Sequence, residues 1–227
     1  MIAMDVLREL QRLGAVYLDK HFVYARGKHG SGYICMDPMF TDPVLMQEVG
    51  NQLVAPFKDG SFDVIVAPAT GGVALGAYTA VAYDHGGGFR PSTRVPFVWA
   101  DKAADNDFVF ERLGFAQQLS GKRVLIVEDL LTTGGSVLRV RKAAEECGAE
   151  IIGVSAVCNR GGVTDEMLGV PRLTSLATVD FDAFDPDSCP FCEDSVPIVV
   201  DAPLGHGAAY KAEHPDYSGG YAELLRA

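Results

Sequence analysis

The stretch "VLIVEDLLTTGGSV", Val124 to Val137, opens as four apolar residues and stops at two adjacent carboxylates, Glu128 and Asp129. It then becomes small, hydroxylated and glycine-rich. Short continuous apolar runs of this kind suit parallel strands buried on both faces. A helical pattern from Ser136 to Cys147 follows, closed by Gly148. Two further runs match: "DVIVA" (63–67), with the turn "PATGG" before a helical pattern from Val73 to Tyr83, and "IIGVSAV" (151–157). Strands alternating with glycine turns and helices predict an α/β fold, a parallel sheet flanked by crossover helices.

On either side of this unit the pattern changes. Val6, Leu7, Leu10 and Leu13 recur at helical spacing, with Gly14 as a stop. The strand-like pieces "FVYA" and "GYICM" flank a basic turn, "RGKHGSG". Asp42 and Pro43 suit the cap and first turn of a helix that places Leu45, Met46, Val49, Leu53 and Phe57 on one face. From about Asp180 the pattern weakens into "FDAFDPDSCPFCEDSVPIVVDAPLGHG", which reads as an appendage packed on the core. The division expected is 1–180 for the main domain, including a small N-terminal segment, and 181–227 for the appendage. The polar stretch Ala100 to Phe110 has no helical or alternating period and reads as a mobile lid.

The chain has 227 residues, about half of them apolar, and a net charge of −11. That charge argues against a nucleic-acid surface, which needs clustered Lys and Arg. No apolar run nears the length of a membrane span, and "MIAMDVLREL" has acids where a secretory signal would be basic. Five cysteines form no dense framework, so a cytoplasmic, reducing compartment is expected. "CPFC" is half of a zinc motif, and Cys189, Cys192 and His206 could be three ligands. No second C-x-x-C exists, and a zinc site and a structural tail both stay open.

Ligands of open parallel sheets bind beyond the carboxyl ends of the strands, where both glycine turns fall. Backbone amides of Thr132, Thr133, Gly134, Gly135 and Ser136 at a helix start, with three hydroxyls among them, would make a phosphate cup. It is neither a Walker loop nor a G-x-G-x-x-G dinucleotide turn. Glu128 and Asp129 would repel a bare phosphate. They make sense if the ligand also carries vicinal hydroxyls, or a Mg²⁺ that tolerates carboxylates. The ligand inferred is a sugar phosphate. A capped strand followed by an ordinary helix-entry turn would not need both acids and the cup together.

"VLIVEDLLTTGGSV" resembles the phosphoribosyl-diphosphate signature of the type I phosphoribosyltransferases. Other segments resemble the orotate phosphoribosyltransferases within them: "ARGKHGSGYICMDPMF" their N-terminal base-site hood, "VAPATGGVALG" their pyrophosphate loop, "FERLGF" the return of their mobile loop, and "VCNRGG" their last base-contacting strand end. The resemblance runs over roughly residues 14 to 162. It implies that Glu128 and Asp129 hold the ribose hydroxyls, that Thr132 to Ser136 hold the 5-phosphate, and that Leu130 and Leu131 between them belong to the substrate-binding signature. Ala69, Thr70, Gly71 and Gly72 would meet the pyrophosphate through backbone amides. Arg26 would stand near base and pyrophosphate, Tyr33, Ile34 and Cys35 along the base, and Arg160 on the base carboxylate. Mg²⁺ would travel with the diphosphate, near Glu128 and Asp129, without a tight protein metal site.

The reaction implied is displacement of pyrophosphate from the ribose C1 by a pyrimidine nitrogen, in a homodimer whose lids close over neighbouring active sites. Lys102 is the candidate lid lysine. Two departures stand out: Thr70 and Gly71 replace an aromatic and a lysine, and "WADKAADNDFVFERLG" offers only Lys102 where relatives have several basic residues. Three other readings stay open: a purine-using type I enzyme, a non-catalytic regulator that binds phosphoribosyl diphosphate, and a phosphosugar-binding module outside the family.

Overall fold

A computed structural model describes residues 4–57, 62–85, 94–104 and 107–225. The chain forms two compact units: 1–9 with 39–179, and 10–38 with 180–227. The pattern of the sequence breaks once, near 180, whereas the contacts join the N-terminal segment to the C-terminal one.

The larger unit is built on one sheet, six-stranded among the described residues. Its order is Leu173–Thr178, Glu150–Asn159, Arg123–Leu131, Val64–Pro68, Phe97–Lys102, Phe108–Val109. The strands pair in parallel except the last two, which form an antiparallel hairpin. The apolar runs are continuous because alternate residues fill two different cores. Val64, Val66, Val124 and Ile126 pack with Val137, Val140 and Ala144 of the helix Gly135–Glu146. Ile65, Ala67, Leu125 and Val127 pack with Val54, Phe57, Ala80 and Ala82. Each Val, Leu, Ile or Phe among them contributes about 1.5–3 kcal/mol when fully buried.

The helix Pro43–Val54 starts as expected: the Asp42 carboxylate accepts from the amides of Val44 at 3.1 Å and Leu45 at 3.0 Å. Leu45, Met46, Val49, Leu53 and Phe57 are all buried. The neighbouring helix Gly71–His85 approaches closely at Gly50, where a Cβ would stand 2.8 Å from the Tyr78 carbonyl oxygen. At the other end of the sheet, the Asp63 carboxylate accepts three hydrogen bonds from Arg123, from the backbone amide at 3.0 Å, Nε at 3.2 Å and the terminal guanidinium nitrogen at 2.9 Å.

The segment read as a lid is in part regular. The strand Phe97–Lys102 runs into it, and Asp101 pairs with Val109 and Lys102 with Phe108. Val98, Ala100, Phe108 and Phe110 are buried, an alternation that the polar residues between them mask in the sequence. Arg112 holds Asp101 at 2.6 Å and lies 4.8 Å over the Trp99 ring. Asp105 and Asn106, in the same stretch, lie outside the described residues.

The smaller unit is a patchwork of two-residue strands. Val16–Tyr17 pairs with Tyr33–Ile34, Phe22–Val23 with His29–Gly30, and Ile198–Val199 with Tyr221–Ala222. The two strand-like pieces therefore do not pair with each other. Arg26 and Gly27, both at positive φ (66° and 75°), reverse the chain early enough for His29–Gly30 to return on Phe22–Val23. Its apolar core is small, with Phe22, Tyr24, Val199 and Leu204 at the centre. Among the described residues no helix is long and apolar enough to cross a membrane.

Candidate active site

The strand Arg123–Leu131 delivers Glu128 and Asp129 at its carboxyl end. Glu128 is 6 % exposed, and its Oε1 accepts the Asp129 amide at 3.1 Å. Burial, and then the neighbouring Asp129 carboxylate, push its pKa well above the usual value. Asp129 is more open and accepts the Leu130 amide at 2.7 Å. Two adjacent carboxylates, one of them buried, favour a proton, a cation or hydroxyl donors at this point. Leu131 is fully buried, so its side chain fills the core.

The next residues turn into the helix Gly135–Glu146. Gly134 makes the turn at φ 72°, and a Cβ there would stand 2.6 Å from Leu168 Cδ2, so only glycine fits. Thr132 and Thr133 are exposed, and Thr133 Oγ1 accepts the Gly135 amide at 3.4 Å. The helix dipole and the outward hydroxyls make this loop an anion cup. Arg139, one turn into the helix, brings a guanidinium nitrogen to 3.4 Å from where a Gly135 Cβ would be, and its Nε is buried without a hydrogen-bond partner among the described residues.

The adjacent strand Val64–Pro68 ends in Ala69 to Gly72, with the Ala69–Thr70 peptide cis. Ala69 donates to the Ala100 carbonyl at 2.8 Å, and Val73 to that of Thr70 at 3.1 Å. A Cβ on Gly71 would lie 2.6 Å from Asp129 Oδ2. The acid pair and this loop thus face each other at close range.

On the other side, Arg160 follows the strand Glu150–Asn159 and donates its amide to the Leu131 carbonyl at 2.9 Å. Asn159 locks the turn: its Nδ2 donates to the Val163 carbonyl at 2.7 Å and its Oδ1 accepts the Val163 amide at 3.1 Å. Any side chain on Gly161 would collide with the Thr132 carbonyl, which seats this turn directly on the cup.

Glu128, Asp129, Ala69 to Gly72, Thr132 to Ser136 and Arg160 thus meet at the carboxyl ends of three neighbouring parallel strands. Lys102 ends the next strand along and is exposed. Arg26, Tyr33, Ile34 and Cys35 belong to the smaller unit. There Arg26 is exposed and Ile34 is buried at 1 %, so the Ile34 side chain serves packing. Sequence reasoning missed Asn159, Arg139 and Arg112. Of these only Arg139 carried a local signal, a cation one turn after the glycine loop.

A family model, the phosphoribosyl transferase domain, matches residues 45–172. An orotate phosphoribosyltransferase of Caldicellulosiruptor bescii is 32 % identical over 183 residues, covering 80 % of this chain and 88 % of the relative. One of Thermotoga maritima is 33 % identical over 189 residues, covering 83 % and 92 %. A crystal structure of the Mycobacterium tuberculosis orotate phosphoribosyltransferase with inorganic phosphate superposes with a TM-score of 0.57 at 19 % identity, covering 77 % of this chain and 94 % of that one. The fold and the signature site define a phosphoribosyltransferase of type I. The chain belongs to that family, and within it to the orotate phosphoribosyltransferases.

Proposed function

We propose that this chain transfers the 5-phosphoribosyl group from phosphoribosyl diphosphate to orotate, giving orotidine 5'-phosphate and diphosphate in pyrimidine biosynthesis. The observation that carries the reading is the junction of Asp129 with the Gly71 loop beside the Thr132 to Ser136 cup. A sugar with a phosphate at one end, a diol in the middle and a diphosphate at the other meets three matching surfaces there.

Backbone amides of the cup hold the 5-phosphate, while Asp129 and Glu128 accept from the ribose hydroxyls. The Ala69 amide is held by the Ala100 carbonyl, so the amides of Thr70 to Gly72 receive the diphosphate, and Arg160 grips the base carboxylate with its planar fork. A ring nitrogen of orotate gives up its proton to solvent or to the departing diphosphate and forms its bond to C1 from one face, as the bond from C1 to the diphosphate oxygen breaks on the other. Placement of the two reactants lowers the barrier, and so do cations facing the leaving diphosphate. Lys102 and Arg139 are the candidates for that cation role. The oxygen-only donor set of Glu128 and Asp129 fits Mg²⁺, which when bound would neutralise diphosphate charge. We assign a homodimer with shared sites, and residence in the cytoplasm, a compartment that suits five cysteines without a disulfide.

Incubation with phosphoribosyl diphosphate, Mg²⁺ and, separately, orotate, uracil, adenine or hypoxanthine tests the reading by base loss and diphosphate release. Orotate alone is expected to be consumed. Consumption of a purine instead would make this a purine enzyme, and binding of the sugar diphosphate with no base consumed would make it a regulator.

A further inference from the structure

Outside the active site, one group of side chains in the smaller unit has the composition of a metal centre. His21 Nε2, His29 Nδ1, Cys189 Sγ and Cys192 Sγ all lie within 4.8 Å of one another. His21 Nε2 is 3.6 Å from Cys189 Sγ and 3.8 Å from Cys192 Sγ, and Cys192 Sγ is 3.3 Å from His29 Nδ1. A tetrahedral zinc with Zn–N of about 2.0–2.1 Å and Zn–S of about 2.3 Å requires nitrogen–sulfur edges of about 3.6 Å. The three observed edges bracket that value. The two ring nitrogens are 2.8 Å apart, closer than the roughly 3.3 Å edge of such a tetrahedron, and ligation would spread them.

The surroundings fit ligation better than an ordinary polar core. His21 Nδ1 faces the Val196 carbonyl at 2.9 Å, and a carbonyl can only accept, so that nitrogen carries the proton and Nε2 keeps a lone pair directed into the cluster. In the metal-free arrangement His29 Nδ1 must donate to that lone pair, which leaves His29 Nε2 buried without a partner. Ligation through Nδ1 converts Nε2 to an N–H on a ring whose centroid lies 5.0 Å from that of Tyr210, in an edge-on arrangement. His21, His29 and Cys189 are 0 % exposed. Two thiolates and two neutral imidazoles cancel the charge of Zn²⁺, which burial requires. Four protein ligands without an open position define a structural rather than a catalytic centre.

The scaffold positions all four. His21 directly precedes the hairpin Phe22–Val23/His29–Gly30, and His29 opens its returning strand, opposite Val23. Cys189 precedes the short helix Pro190–Glu193 that carries Cys192, whose amide donates to the Cys189 carbonyl at 3.0 Å. Bridges from His21 to Ile198 and from His29 to Phe184 hold the two segments together around the cluster. Strands of two residues over so small a core need a further tie. His206, the histidine that sequence spacing offered as third ligand, is not in the cluster.

We propose that His21, His29, Cys189 and Cys192 bind one structural zinc ion that fastens residues 10–38 to residues 180–227. The test is metal analysis of the full chain, purified without a metal-affinity tag, chelator or added zinc. About one zinc per chain is expected in the wild type, Cys147→Ser and His206→Ala, and a loss of about nine-tenths in Cys189→Ser and His29→Gln. If those two variants do not fold, wild-type protein produced in cobalt medium decides, because tetrahedral thiolate ligation gives visible d–d bands and a near-ultraviolet charge-transfer band. Folded wild type with no stoichiometric metal, with iron in place of zinc, or with a Cys189–Cys192 disulfide would overturn the proposal, as would full zinc in Cys189→Ser.

Discussion

Gly71 and Asp129 lie on neighbouring strand ends, and a Cβ on Gly71 would stand 2.6 Å from the Asp129 carboxylate. Backbone and acid are thus brought together without a side chain between them. Gly71→Ala should force Asp129 aside, an overpacking of about 1–3 kcal/mol, and lower kcat/KM about tenfold or more. Asp129→Asn should leave the melting temperature nearly unchanged while kcat falls by about 100-fold or more. A folded Asp129→Asn protein with near-normal turnover would remove Asp129 from the mechanism.

Arg160 opens a turn that the Asn159 side-chain amide closes in both directions on Val163. Arg160→Lys should raise the KM for orotate about tenfold, since an ammonium cannot make the two parallel bonds of a guanidinium, while binding of phosphoribosyl diphosphate holds. Asn159→Ala should do the same indirectly and also destabilise by about 1–3 kcal/mol through two orphaned backbone groups. Equal weakening of both substrates by Arg160→Lys would count against a base-specific contact.

Lys102 is exposed at the last register position of the hairpin, facing Phe108 across the ladder. Lys102→Ala is expected to lower kcat far more than it weakens ground-state binding. Mixing Lys102→Ala with Asp129→Asn subunits should restore part of the activity if sites are shared between protomers. A dead mixture with demonstrated subunit exchange would confine the lysine to its own chain.

The Asp63–Arg123 pair gives the sheet an acid-sensitive edge. Hydrogen bonds from the Arg123 side chain, and then from its amide, lower the Asp63 pKa from 3.8 to about 2. A carboxyl lowered in the folded state contributes stability above its ordinary value and loses it as pH falls from about 4 to about 2. Asp63→Asn should therefore be less stable than wild type at pH 6, with the gap closing towards pH 2. Thermal melts across that range would show it, and a gap independent of pH would argue against the ion pair.

The sheet and the acid-glycine signature were legible because they are local. Strands at 64–68, 123–131 and 150–159 follow from apolar runs buried on both faces, and Asp42 with Pro43 marks a helix start that the hydrogen bonds match. The hairpin after Trp99 was not, because Asp101 and Lys102 interrupt an alternation only four residues long on the buried side. Asn159 acts through two backbone bonds, which no composition betrays. His21 and His29 stand some 160 residues from Cys189 and Cys192, so only the folded chain brings the half-motif its partners.

That separation also sets an order of events during synthesis. The segment carrying His21 and His29 leaves the ribosome long before Phe184, Cys189 and Ile198, to which it is stitched. At about 5–20 residues per second the wait is roughly 8–30 seconds. The nascent chain can complete the sheet of residues 39–179 while residues 10–38 still wait for residues 180–227, so the smaller unit closes after the larger one.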